Sequence, residues 1–254
     1  MAGIGVAVEI TAGTWNEIYH RLYVSEPPIA PAHALLVVGM LILITGTIIG
    51  LSVMLAVATE SKEGYSKLVK KIILVSLLVS YSAIWLLSAG STMYVAGVYR
   101  NVGGYFGAAV GLAWITPMVM IPAMRSVDRF GTATSIGLSY AIVNFVFLVG
   151  YLYEELYLPL GVLSAFALDL AYFGAKRVGS PRTAAMLVGL LSGPLLLVTY
   201  YPFTPSIVTV QWTESLRLTL LASTVAGFFG GITGYAAVDG TRSLILKLSS
   251  RSAQ

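Results

Sequence analysis

Seven stretches of this chain stay apolar long enough to cross about 30 Å of hydrocarbon as helices rising 1.5 Å per residue. No other feature restricts the fold as much. They fall near residues 31 to 59, 70 to 98, 103 to 124, 131 to 153, 156 to 175, 183 to 202 and 215 to 238. The connections are short and polar: ESKEGYSKLVKK, YRNVGG, RSVDRFG, Glu154-Glu155, KRVGSPR and the longer TPSIVTVQWTES. The expected fold class is therefore all-α, a polytopic membrane helix bundle with no second, soluble domain. Composition agrees, because 57% hydrophobic and 10% charged residues would leave a soluble domain of this length short of polar surface. The chain has no cysteine. That excludes disulfides, thiolate metal sites and cysteine nucleophiles, and leaves nitrogen, oxygen and thioether groups for any metal chemistry.

Charge predicts orientation. Seven spans with residues 1 to 30 outside leave Lys62, Lys67, Lys70, Lys71, Arg125, Arg129, Lys176, Arg177, Arg182, Arg242, Lys247 and Arg251 inside. Only Arg21, Arg100 and Arg217 fall outside, as expected if basic segments resist translocation. The same rule accounts for the net charge of +4 without a nucleic-acid partner. The expected organisation is an outer-face interfacial segment over 1–30, a seven-helix bundle over 31–238 and a cytoplasmic basic tail over 239–254, multi-pass in the cell membrane with lipid as its first partner. The opening GIGVAVEITAG is expected to lie in or dip into the outer interface, ending at Trp15. It lacks the basic start and cleavage pattern of a secretory signal. Small residues at four-residue spacing, at Gly46 and Gly50, at Gly103, Gly107 and Gly111, and at Gly227, Gly231 and Gly234 with Gly230, predict close helix packing within the bundle.

The two histidines, His20 and His33, lie on either side of Pro27, Pro28 and Pro31. Those prolines prevent one helix from carrying both imidazoles, which disfavours a bis-histidine haem arrangement. The last span holds no lysine for a retinal Schiff base. Asn16 precedes His20 by one helical turn, so a helix over 14 to 22 points both side chains the same way. Asn16, His20 and His33, with Glu17 and Glu26 nearby and Met40 two turns below His33, form a nitrogen and oxygen set suited to copper or zinc. The plain alternative is that two interfacial histidines cap helices and bond to carbonyls.

The stretch AGTWNEIYHRLYVSEPPIAPAHALLVVGMLILITG resembles the metal-site segment of the C subunits of the copper membrane monooxygenases, the particulate methane and ammonia monooxygenase family. The resemblance implies copper ligands at the positions of Asn16, His20 and His33, the last in Pro31-Ala32-His33. The family has Asp where this chain has Asn16, a neutral and weaker ligand. It also supplies further histidines for a second copper, which this chain lacks, so a site here is single or completed by another chain. A looser resemblance runs through GYLYEELYLPLGVLSAFALDLAYFGAKR, which is similar to a segment of the A subunit of archaeal ammonia monooxygenases. Together the two cover about a quarter of the chain.

The function that resemblance implies is an integral membrane subunit with an outward-facing mononuclear copper site for O2-dependent oxidation of a small substrate, working with other membrane subunits in a hetero- or homo-oligomer. The alternative is a non-catalytic scaffold or metal-handling subunit with a vestigial site. A plain transporter ranks third, because no pair of broken helices stands in corresponding halves. Asp169, the acidic residue well inside a predicted span, requires a partner, a proton or a polar cavity. Its expected role is either proton relay or an interhelical hydrogen bond to Asn144. The tyrosines, among them Tyr81, Tyr94, Tyr151, Tyr153 and Tyr157, are expected to anchor interfaces and packing rather than carry electrons.

Overall fold

A computed structural model describes residues 2–22, 31–60, 66–98, 104–148, 157–200 and 212–252. They form eight helices: α1 (Ala2–Leu22), α2 (Pro31–Glu60), α3 (Lys67–Val98), α4 (Gly104–Val127), α5 (Thr132–Leu148), α6 (Tyr157–Val178), α7 (Pro181–Tyr200) and α8 (Trp212–Ser252). No strand occurs among the described residues. Four helical stretches, Pro31–Ala58, Lys67–Ser88, Ala109–Val127 and Arg217–Gly240, are long and apolar enough to cross a membrane, and Pro181–Leu197 is a shorter apolar helix. The seven expected helices are present as α2 to α8. Among the described residues, length and composition make α2, α3, α4 and α8 the candidate crossings.

The chain divides into two compact units, Met1–Gly104 and Tyr105–Gln254. In the first, α2 packs between α1 and α3. Within the segment expected over 1 to 30, the described residues Ala2–Leu22 form one 21-residue helix, about 31 Å long, lying along α2. Glu9 breaks the apolar run, which hides the helix from a search for continuous hydrophobicity. Its helical period nevertheless places Gly5, Glu9, Ala12 and Asn16 on one face. A Cβ on Gly5 would come within 2.5 Å of the Leu43 amide nitrogen, and one on Gly39 within 2.9 Å of Glu9 Cγ. The two helices therefore run antiparallel and nearly touch at the backbone. Away from these contacts, large apolar side chains such as Ile4, Ile10, Met54, Val57, Ile72 and Val79 are exposed, a surface suited to lipid.

In the second unit α4 supplies the core, with Ala113, Val119, Met120, Ile121, Ala123 and Met124 buried. Two prolines, Pro117 and Pro122, sit inside this helix. Pro117 has no N–H for the carbonyl four residues back, at Ala113. Ser192 of α7 meets that need: its hydroxyl lies 2.9 Å from Ala113 O and 2.8 Å from Gly189 O of its own helix. Ser192→Ala is expected to cost about 1–3 kcal/mol, the penalty of an unsatisfied buried carbonyl, measured as a lower unfolding midpoint in detergent. An unchanged midpoint would mean that Ala113 O finds another donor.

The glycines of α8 fit as small-residue packing requires, and within the bundle. A Cβ on Gly231 would meet Ala185 O at 2.6 Å and one on Gly234 would meet Pro117 O at 2.8 Å, while Gly227 abuts Gly189 O and Gly230 abuts Trp114 O. The same expectation does not extend to Gly50 and Gly107, where a Cβ would touch nothing within 4 Å.

Turn chemistry explains the connections. Between α4 and α5, Asp128 (φ 49°) and Gly131 (φ 89°) take left-handed conformations that Asp tolerates and Gly adopts freely. Between α6 and α7, the Gly179 amide donates to Ala175 O at 2.9 Å, Ser180 Oγ accepts from the Thr183 amide at 3.1 Å, and Pro181 opens the next helix. These are the end, cap and first-turn preferences of adjoining helices. Residues 239–252, expected as a tail, continue α8 as helix through Ser252, and Asp239 bonds Arg125 of α4.

Candidate metal site at the α1–α2 hairpin

α1 is described through Leu22 and α2 begins at Pro31, so His20 and His33 lie on separate helices. Pro31 occupies the first helical position of α2, where its missing N–H costs nothing, and His33 follows in that first turn. The antiparallel register brings the two helix ends level. Gly39 lies on Glu9. Moving seven residues up α1 from Glu9 reaches Asn16, and seven back along α2 from Gly39 reaches Ala32, the neighbour of His33.

Asn16 stands on the α1 face that packs against α2. Its Oδ1 atom is buried and has no hydrogen-bond partner. A buried amide oxygen without a donor is costly, and it is the acceptor that a cation or a donor group would satisfy. His20 is one turn beyond Asn16 on α1; its side chain lies outside the described residues, as does Glu26. His33 is half-buried, and both it and Tyr19 are engaged with neighbours. Met40 is half-buried two turns further along α2. Glu17 points elsewhere: its carboxylate accepts from Arg21 Nε at 2.8 Å, with both side chains mostly exposed. Among the described residues no three His, Cys, Asp or Glu side chains gather around a common point. A cation held here would depend on the amide of Asn16 together with the histidines.

Asp169 finds partners other than Asn144. Fully buried, its carboxylate accepts from the Ala133 amide at 3.2 Å, the Thr134 amide at 2.8 Å and the Thr134 hydroxyl at 2.7 Å. It thereby caps α5 from a neighbouring helix, satisfying amides that no preceding turn serves and lying at the positive end of the helix dipole. Asn144 is ten residues beyond Thr134, about 15 Å along α5, and its side chain lies outside the described residues. Close by in sequence, Lys176 pairs with Asp128. Arg125 donates to Tyr235 O at 2.9 Å and Asp239 at 2.8 Å and stacks 4.0 Å over the Tyr235 ring. Tyr81 is buried in the first unit, and Tyr94, Tyr151, Tyr153 and Tyr157 have side chains outside the described residues. Comparison with family models, with curated proteins and with solved structures gives no match to the chain.

Proposed function

We propose that the chain is a multi-pass membrane subunit whose α1–α2 hairpin end forms a single copper site from Asn16, His20 and His33, facing outward. The observation that carries this reading is the partnerless, buried Asn16 Oδ1, set by the helix register beside the first turn of α2. An amide oxygen and imidazole nitrogens form a donor set acceptable to copper, with zinc as the competing metal. Copper, when bound, supplies one-electron and oxygen chemistry, which would suit oxidation of a small substrate arriving through the bilayer. Asn16, His20 and His33 would hold the cation at the helix ends. Seven crossings by α2 to α8, with the His33 end outside, complete the reading. The ion pairs Arg125–Asp239 and Lys176–Asp128 support it by grouping the cations of the second unit with the connections assigned to the inside.

A second reading has its own support. Asn16 is neutral and a weaker donor than carboxylate, as in a scaffold or metal-handling subunit with a reduced site. Changing Asn16 separates the two. If Asn16 is a ligand, Asn16→Asp tightens copper by about tenfold or more and Asn16→Ala weakens it, since carboxylate binds more strongly than amide. Equal affinities in a competitive chelator titration of all three proteins would remove Asn16 from the site.

A further inference from the structure

Glu9 takes no part in the site described above, yet it occupies the middle of the α1 face that packs on α2. It is half-buried, and the missing side chain of Gly39 makes room for it: a Cβ there would meet Glu9 Cγ at 2.9 Å and Val8 Cγ1 at 3.2 Å. One turn away, Gly5 presses on Leu43, so the surroundings are apolar on both helices. The nearby Thr11 hydroxyl is already used by Ala7 O at 2.9 Å. No described side chain bonds the Glu9 carboxylate. The other charged residues of α1, Glu17 and Arg21, pair with each other two and three turns away. On α2, His33 lies six residues from Gly39, and no charged residue intervenes before Glu60.

Gly39 is eight residues, about 12 Å, inside the Pro31 end of a stretch apolar enough to cross a membrane. An ionised carboxylate without a partner is strongly disfavoured in hydrocarbon, and ionisable groups at such depth ordinarily serve proton or ion traffic. A proton on the carboxylate oxygen removes the charge with no other group needed. We propose that Glu9 is a proton-binding carboxyl group held at the apolar α1–α2 interface over Gly39, taking up and releasing one proton at its carboxylate oxygen. The inference rests on α2 crossing the bilayer and is independent of any metal beside Asn16.

The test uses the full chain in phosphatidylcholine vesicles and the lipid-soluble reagent dicyclohexylcarbodiimide. A protonated carboxyl adds across the carbodiimide to an O-acylisourea, which rearranges to a stable N-acylurea with no leaving group. The adduct is read as a mass increase on the α1 peptide. The expected result is label on Glu9 that increases as the pH is lowered and is lost completely in Glu9→Gln, while a water-soluble carbodiimide labels Glu17 and spares Glu9. Absence of the lipid-soluble label at Glu9, or equal labelling of Glu9 by the water-soluble reagent, overturns the proposal. Because the chain has no cysteine, Val38→Cys, at an exposed position of α2 at the depth of Gly39, provides the control. Its protection from a water-soluble maleimide, with Glu9 unlabelled, sinks the carboxyl proposal alone; free reaction of that cysteine sinks the crossing by α2 as well.

Discussion

Replacing Asp169 by Ala is expected to destabilise the protein by about 3–5 kcal/mol, the scale for removing one charged partner from a buried, hydrogen-bonded arrangement. Two backbone amides and one hydroxyl converge on this carboxylate, and the site is closed to solvent. Truncation would leave all three donors unpaired at the start of α5, where helix amides have no partner of their own. Asp169→Asn keeps an acceptor but loses the charge facing the helix dipole, so it should fall between wild type and Asp169→Ala. Thermal or denaturant unfolding in detergent would read the difference. A loss below about 1 kcal/mol, the scale of a single ordinary hydrogen bond, would show that the cap carries little of the stability of the second unit.

The other large effect is expected at Gly230. A side chain there would run into the Trp114 carbonyl of α4, and its Cβ would lie 2.8 Å from Pro117 Cγ. Neither neighbour is the free end of a flexible chain, so relief requires α8 to move away from α4. Gly230→Leu should therefore cost about 3 kcal/mol or more, the upper range for overpacking, and reduce the yield of folded protein. Gly174→Leu is the control: a Cβ at Gly174 meets nothing within 4 Å, and leucine has the better helix propensity. Similar losses in the two variants would point to glycine flexibility in place of the close helix crossing.

Which parts of this were legible beforehand follows from the range of the forces involved. The division of α6 from α7 is written locally, because Gly179, Ser180 and Pro181 each favour one position at a helix boundary. The separation of His20 from His33 onto two helices is equally local, since proline geometry dictates it. The length of α1 was hidden because Glu9 interrupts its apolar run; the informative signal was the face formed by Gly5, Glu9, Ala12 and Asn16. The partner of Asp169 was out of reach for a different reason. Knowing that it meets Ala133 rather than Asn144 requires the register of α5 against α6, which is set by packing over both helices and leaves no mark at either residue. For the candidate site, the ligand types and spacing were visible in the sequence. The burial of Asn16 Oδ1 without a donor was not, because it depends on how closely Gly5 and Gly39 let the two helices approach.

Metal content tests the central claim most directly. The full chain, purified in lipid and equilibrated with copper before exhaustive removal of unbound ions, should retain about one copper per chain, the amount expected for a single nitrogen and oxygen site. The double variant His20→Ala, His33→Ala should retain none while keeping its helical circular dichroism. Copper retained equally by both proteins, or by neither, would contradict a metal site at the α1–α2 hairpin.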